Sequence, residues 1–100
     1  MLESLINNWN LSKDQEGIYR GHRQDLSRIA INPVLVRVLK NKGFERVEEF
    51  STGHREIYKN DDLKAIFTYC EGDLSLKTAD TQEDYQTMFN DMVKFYQKYM

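Results

Sequence analysis

The chain has 100 residues, of which 40% are hydrophobic and 30% are charged, and its formal net charge is −2 at pH 7. This length and composition predict one globular domain, residues 1–100, and exclude an intrinsically disordered chain. The sequence has no apolar run of roughly 18 residues and no signal-peptide pattern, so we expect no membrane span. Its single cysteine, Cys70, excludes an intramolecular disulfide.

The first part of the chain, residues 1–43, is predicted to be helical. Four large apolar residues spaced i, i+3, i+4 and i+7 indicate a short N-terminal helix: Leu2, Leu5, Ile6 and Trp9. Ser12 and Gln15 form a capping-box pattern, which predicts that a second helix starts at Lys13. Gly17 and Gly21 weaken this helix, so its first half is expected to be irregular or to pack unusually close to a neighbour.

A third helix is predicted between a proline and a glycine. Asn32-Pro33 ends the second helix, because proline excludes helical geometry at the preceding residue, and Pro33 then suits the first position of a new helix. Gly43 provides the expected end of this helix.

The middle of the chain, residues 44–78, changes to the two-residue period of β-strands. Four short segments separated by turn signals predict a four-stranded antiparallel meander: residues 44–50, 54–59, 63–70 and 73–78. In the third segment an apolar row alternates with a more polar row, and the apolar row is expected to face inward.

The C-terminal segment predicts a long amphipathic helix over residues 82–99, packed on the sheet. Thr81 and Asp84 form a second N-terminal box. A wide stripe of Tyr, Phe and Met follows, and it exceeds what one face of a small sheet needs. Some of this surface is therefore expected to contact a partner or a second copy of the chain. The predicted fold class is α+β, with N-terminal helices, a meander and a C-terminal helix.

The charge is distributed unevenly along the chain. Residues 1–43 carry seven Lys and Arg against four Asp and Glu, whereas residues 44–100 carry seven against twelve. If the two parts pack as layers, the protein has a basic side and an acidic side.

Both histidines lie in the tripeptide Gly-His-Arg, as His22-Arg23 and His54-Arg55. Two imidazoles beside arginines have the residue types for RNA cleavage without a metal, one acting as base and the other as acid while the arginines hold the phosphate. The alternative is structural. His22 falls on the apolar side of the predicted second helix, and His54 follows a turn glycine as an exposed strand residue.

Residues 34–58 resemble the start of the HicA-type toxin mRNA interferases. The resemblance rests on a short helix ending at Gly43-Phe44, a strand, and Thr52-Gly53-His54 leading into a strand with Tyr58. It implies a fold similar to double-stranded-RNA-binding domains, with His54 as the catalytic histidine. The chain departs from that family in having Thr-Gly-His in place of Gly-Ser-His, a longer hairpin spacing and an acidic strand before the long aromatic helix.

Four arginines offer a second route to nucleic-acid binding. Arg20, Arg23 and Arg28 are expected to form a basic ridge on the second helix, with Arg37 on the third. A nucleic-acid-binding regulator is therefore one alternative function. A solvated helix face paired with nearby acids is the ordinary explanation of the same pattern.

A non-catalytic protein-binding module is the favoured function. The sequence contains no Ser-His-Asp pattern, glycine-rich phosphate loop or metal-ligand spacing, so we expect no cofactor and no metal. The expected contact residues are one aromatic and four acidic side chains: Trp9, Asp61, Asp62, Glu71 and Asp73. Their charge favours a basic partner, and an inhibitor of a nucleic-acid-handling protein, of the immunity, antitoxin or phage anti-defence kind, fits this description. A cytoplasmic location and a homodimer are further expectations.

Overall fold

The structure, a computed structural model, describes residues 2–22, 33–52 and 55–98. The described part contains three helices and one six-stranded antiparallel sheet. The helices are α1 (Glu3–Asn8), α2 (Pro33–Asn41) and α3 (Gln82–Gln97). The strands are β1 (Ser12–Lys13), β2 (Tyr19–His22), β3 (Glu45–Arg46), β4 (Arg55–Asn60), β5 (Ala65–Cys70) and β6 (Asp73–Thr78), in the order β1-β2-β6-β5-β4-β3. The predicted α+β class is confirmed, and the predicted number of four strands is wrong.

The two additional strands replace the first half of the predicted second helix. Asp14 closes a tight turn between them, because its Oδ1 accepts hydrogen bonds from the backbone N–H groups of Glu16 and Ile18, both at 2.9 Å. Gly17 adopts the left-handed conformation at φ +83° that this turn requires. A helix starting at Lys13 is therefore wrong, and the rest of the predicted helix, residues 23–32, lies outside the described residues.

Gly21 lets β2 lie close to the N-terminal segment. A Cβ atom at this position would come within 2.8 Å of Leu11 Cδ2, so a larger residue requires a shift of the buried Leu11 side chain. The close packing expected from this glycine is present, although it occurs in a strand. β2 pairs with β6 and thereby joins the N-terminal part of the chain to the meander.

The third predicted helix is confirmed as α2, but the first predicted strand is much shorter than expected. Gly43, at φ +90°, follows α2, as the sequence indicated. Within residues 44–50 only Glu45–Arg46 pair as a strand, and a 3-10 turn at Glu48–Phe50 follows. The turn places Val47 and Phe50, three residues apart, in the same buried cluster.

One face of the sheet is closed by α1 and α2. Leu5 of α1, with Leu35 and Leu39 of α2, is fully buried against this face. The strands contribute large alternating residues: Tyr58, Phe67, Tyr69, Leu74 and Leu76. This face holds the main core, because most of the fully buried side chains belong to it.

Among the described elements, α3 packs on the opposite face. Tyr85, Met88, Phe89 and Met92 pack toward Ile57 and Ile66. The predicted capping of this helix is confirmed, since Thr81 Oγ1 accepts a hydrogen bond from the Asp84 backbone N–H at 3.0 Å. The expectation that the apolar row of the third segment faces α3 is wrong, because Phe67 and Tyr69 face α1 and α2.

Within residues 2–22, 33–52 and 55–98, only part of this second face is covered. The described residues that pack or stack against α3 come from β4, β5 and the segment before β4. A groove therefore opens between α3 and the strands β6 and β2. Because β1 and β2 belong to the same sheet as the strands of residues 44–78, the two parts of the chain do not form separate basic and acidic layers.

Candidate binding groove

The groove beside α3 has a volume of about 620 Å³ and has a polar floor and a mixed wall. Its floor contains cationic and hydroxyl side chains of three strands: Arg20, Thr68, Ser75 and Lys77. Its wall is formed by one side of α3: Asp84, Thr87, Met88, Asp91, Met92 and Phe95. The ring of Phe95 is 53% exposed, which is unusual for a large apolar residue in this chain.

A second, smaller pocket of about 380 Å³ continues the groove toward the C-terminal end of α3. It shares five lining residues with the larger pocket: Arg20, Thr68, Ser75, Phe95 and Tyr96. Arg55, Cys70, Leu74 and Asp73 complete it. The two pockets are therefore parts of one continuous surface.

Strand register explains why these side chains meet. His22, Asp73, Cys70 and Arg55 lie directly opposite one another in four consecutive strands. The next row toward the middle of the sheet contains Arg20, Ser75, Thr68 and Ile57. Directly opposite residues point to the same face, and residues two apart in a strand share that face, so both rows point toward α3.

Two side-chain contacts, an ion pair and a histidine–aspartate contact, orient polar groups at the β2 side. Arg20 Nε donates to Asp14 Oδ2 at 2.8 Å, and this hydrogen bond lowers the pKa of Asp14. His22 Nδ1 lies 2.6 Å from Asp73 Oδ1, with both side chains at least half exposed. Exposed pairs of this kind add little stability, so their effect is to fix the direction of the side chains.

The aromatic end of α3 is held by a guanidinium from β4. Arg55 Nε donates to the Phe50 carbonyl at 3.1 Å, and its guanidinium carbon lies 4.8 Å from the centre of the Tyr96 ring. Tyr96 meets Phe95 edge to face, with ring centres 5.1 Å apart. Burial raises the pKa of Tyr96, and it also raises the pKa of Cys70, with a smaller contribution from Glu71. The Cys70 thiol is therefore protonated at neutral pH.

The predicted acidic contact residues lie at two ends of the sheet. Asp61 and Asp62 occupy the β4–β5 turn, whereas Glu71 and Asp73 occupy or border the β5–β6 turn at the other end of β5. They do not form one patch. Trp9 is buried in the core with α1 and α2 and offers little surface to a partner.

The turn with Asp61 approaches the first turn of α3. The Tyr85 hydroxyl donates to Asp61 Oδ1 at 2.7 Å, which brings this turn beside the acidic start of the helix. The first turn of α3 contains Glu83 and Asp84, and both are exposed. One end of the groove is therefore acidic, with Asp84 in its wall and Asp61 and Glu83 beside it.

The remaining predicted site residues are separated or lie outside the description. His22 is in β2, so its predicted position on a helix is wrong. Arg37 is exposed on α2, on the opposite side of the sheet from Arg20, so these two arginines do not form one ridge. His54, Arg23 and Arg28 lie outside the described residues. The alternative of RNA cleavage through His54, with His22 assisting, therefore stays a prediction.

The groove itself was not predicted from the sequence. Its floor residues Thr68, Ser75 and Lys77 belong to strands that were predicted, but β2 was expected to be helical. The one available signal was the width of the apolar stripe on the last helix. Within the described ranges, no three His, Cys, Asp or Glu side chains form a group that could hold a metal ion. Among the same residues, no helix is both long and apolar enough to cross a bilayer.

Comparison of the chain with protein-family models, with curated proteins and with solved structures finds no match. The resemblance of residues 34–58 to the HicA-type interferases is thus not accompanied by a family match.

Proposed function

We propose that the chain is a non-catalytic protein-binding module, and that an amphipathic helix of a basic partner docks in the groove beside α3. The observation that carries this proposal is the groove that the described residues leave between α3 and the strands β6 and β2. The side of α3 that borders the groove contains Met88, Met92 and the exposed Phe95. On the opposite face of the sheet, two helices pack against the strands. Exposed apolar surface in a groove with a polar rim is typical of protein contact sites.

The dimensions of the open face suit one helix. Neighbouring strands lie about 4.8 Å apart, so β6 and β2 together provide a strip about 10 Å wide. Packed helices lie about 8–10 Å apart, axis to axis. A helix seated on β6 and β2 would therefore contact the Met88, Met92 and Phe95 stripe along its side.

The charges on the wall favour a basic helix. Asp84 and Asp91 are seven residues apart on α3, which places them about two turns apart on the same side of the helix. Both are exposed, and the floor guanidinium of Arg20 is already paired with Asp14. Lysines or arginines on the outer side of a docked helix would reach the two wall carboxylates.

This partner class agrees with the function favoured by the composition. A small acidic module that covers a basic helix of a nucleic-acid-handling protein would act as an inhibitor of the immunity, antitoxin or phage anti-defence kind. A cytoplasmic location belongs to the same proposal.

Affinity capture from the native cell tests the proposal when it uses four matched variants as baits. Phe95→Ser removes the exposed wall ring, and Val34→Ser is its control, because Val34 is 55% exposed but lies on α2 across the sheet. Asp84→Asn with Asp91→Asn removes the wall charges, and Glu83→Gln is the control on the same helix outside the groove.

We expect a basic protein that is retained by the wild type and by both controls and is lost or reduced with both groove variants. Two exposed charge pairs of about 0.5 kcal/mol each correspond to roughly fivefold weaker binding. When the purified partner is added to the chain, the amide chemical shifts of α3 and β6 should change. A partner held equally by all baits, or an acidic partner, contradicts the proposal. A dimer of the chain that Phe95→Ser dissociates would assign the groove to a second copy instead.

A further inference from the structure

We infer, on the basis of the proposed function above, that Lys77 determines which basic helices the groove accepts. The docked helix carries a carboxylate on the side that faces the sheet, and this carboxylate pairs with the Lys77 ammonium group. The observation that carries the inference is a cationic side chain in the groove floor that has no partner among the described residues.

The other polar side chains of the groove floor have partners within the chain. Arg20 Nε donates to Asp14 Oδ2 at 2.8 Å. The hydroxyl groups of Thr68 and Ser75, directly opposite each other in β5 and β6, form a hydrogen bond with each other. In the part of the chain that the structure describes, Lys77 is the floor residue without a hydrogen bond or an ion pair.

Strand register places Lys77 on the open face of the sheet. It lies directly opposite Ile66 of β5 and two residues from Ser75 in β6, so its side chain points to the same face as theirs. Ile66 packs in the cluster that contains Tyr85 and Met88 of α3. Lys77 therefore lies at the level of the first half of α3, and its partly buried side chain lines the groove there.

The carboxylates of the groove wall do not pair with Lys77. Asp84 and Asp91 line the same groove, but neither forms an ion pair with the ammonium group. A helix seated on β6 and β2 would cover the floor at this point and separate Lys77 from bulk water. Burial of a charge without a counter-charge is costly, whereas a carboxylate on the helix would provide a charge-assisted hydrogen bond.

The two charge requirements divide the partner helix into two sides. Its outer side carries the lysines or arginines that reach Asp84 and Asp91, as proposed above. Its inner side carries apolar residues and one Asp or Glu at the level of Lys77. A helix with cations on all sides would place a like charge against Lys77, so this lysine disfavours uniformly basic partners.

Titration of the purified chain with synthetic amphipathic peptides, followed by calorimetry, tests the inference. Each peptide matches the 16 residues of α3 in length and carries leucines on one side and lysines on the other. One leucine is replaced by Glu in one peptide and by Gln in its control, and the replaced position moves along the helix from one pair of peptides to the next. At the position that meets Lys77, we expect the Glu peptide to bind about tenfold more tightly than the Gln peptide.

Two variants of Lys77 assign this preference to its ammonium group. Lys77→Gln should bind the Glu and Gln peptides of that pair equally. Lys77→Met should bind the all-leucine peptide more tightly than the wild type does, because no charge is then buried. Lys94→Gln is the matched control, since Lys94 is exposed on α3 outside the groove, and it should keep the tenfold preference. Equal thermal stability of the variants and the wild type shows that the fold is intact.

The outcomes separate this inference from the proposed function. Equal binding of the Glu and Gln peptides at every position, with both weakened by Asp84→Asn and Asp91→Asn, would overturn the inference and leave the proposed function standing. It would mean that the Lys77 stem bends aside and keeps the charge in water. A preference for Glu that Lys77→Gln retains would overturn the inference as well. If no peptide saturates the chain up to about 10 mM, the groove does not accept a basic helix, and both fail.

Discussion

The contact between Tyr85 and Asp61 offers a quantitative test of how α3 is attached to the sheet. The Tyr85 side chain is 3% exposed, and its hydroxyl donates to Asp61 Oδ1 at 2.7 Å. Tyr85→Phe keeps the buried ring and removes only the hydroxyl, so it isolates the hydrogen bond. The bond joins the first turn of the helix to the β4–β5 turn, and therefore helps to fix the groove wall.

The expected cost follows from the exposure of the two partners. Hydrogen bonds to charged groups contribute about 1.5–3 kcal/mol. The Asp61 side chain is 63% exposed and regains water when the hydroxyl is removed, so we expect Tyr85→Phe to cost about 1 kcal/mol. Asp61→Ala should cost more, about 2 kcal/mol, because it leaves the buried hydroxyl without its acceptor. Asp62→Ala, at the neighbouring exposed position, should change stability by less than about 0.5 kcal/mol.

The pH dependence supplies a second, independent readout. Burial, with a further contribution from Asp61, raises the pKa of Tyr85 well above its ordinary range. The unfolded chain ionises near pH 10, whereas the folded chain keeps the phenol protonated, so wild-type stability is complete below about pH 10 and falls above it. This loss is about 0.8 kcal/mol at roughly pH 10.5. Tyr85→Phe has no phenol to ionise and does not lose this stability. The difference of about 1 kcal/mol between the wild type and the variant should therefore nearly disappear at that pH.

Urea denaturation followed by circular dichroism, from neutral pH to about pH 10.5, measures both effects. The wild type and Tyr85→Phe contain the same other tyrosines, so their difference reports Tyr85 alone. Equal stability at neutral pH would show that the hydroxyl makes no net contribution. A deficit that stays constant up to about pH 10.5 would show that Tyr85 ionises as readily in the folded chain as in the unfolded chain.

Three further predictions concern other parts of the chain. The exposed Cys70 should react with iodoacetamide more slowly than free cysteine at neutral pH, because partial desolvation of its thiol and the nearby Glu71 raise its pKa. Mass spectrometry measures the reaction, and a faster reaction than that of free cysteine would contradict the protonated state of the thiol. Gly21→Ala should lower the free energy of unfolding, measured by urea denaturation, by about 1–3 kcal/mol, since the new methyl group would lie 2.8 Å from Leu11 Cδ2. Unchanged stability would mean that the Leu11 side chain moves aside freely. Labelled RNA incubated with the purified chain in chelator should stay intact, whereas cleavage that His54→Ala abolishes would establish the alternative enzymatic function.

Two capping patterns in the sequence had different outcomes, and their contrast shows what local sequence can predict. Thr81 and Asp84 precede an uninterrupted apolar stripe, and Thr81 caps α3 as expected. Ser12 and Gln15 have the same spacing, but Gly17 and Gly21 follow them within nine residues. The chain there forms two strands, because pairing of β2 with the edge of β6 provides hydrogen bonds that no local pattern reveals.

The groove could not be predicted for the same reason. It combines side chains from β2, β6 and α3, and these elements meet only if β2 joins the sheet. The alternation in β5 correctly separated Phe67 and Tyr69 from Thr68. It could not identify which face α3 covers, since both faces of β5 contain buried apolar residues, with Ile66 packed below α3. The hydrophobic period shows which residues of a strand share a face, but it does not show which helix packs on that face.

The polarity of the groove floor limits what the open face can be. The strands β5 and β6 place Phe67, Leu74 and Leu76 on the closed face and Thr68 and Ser75 on the open one. If the open strip were a seat for a further core element, its floor would be apolar like the closed face. Apart from Lys77, the polar groups of the floor instead have partners within the sheet, since the Thr68 and Ser75 hydroxyls hydrogen-bond to each other and Arg20 pairs with Asp14. A docked helix therefore gains its apolar contacts from the α3 wall, and the binding energy should concentrate at Phe95 rather than spread over the floor.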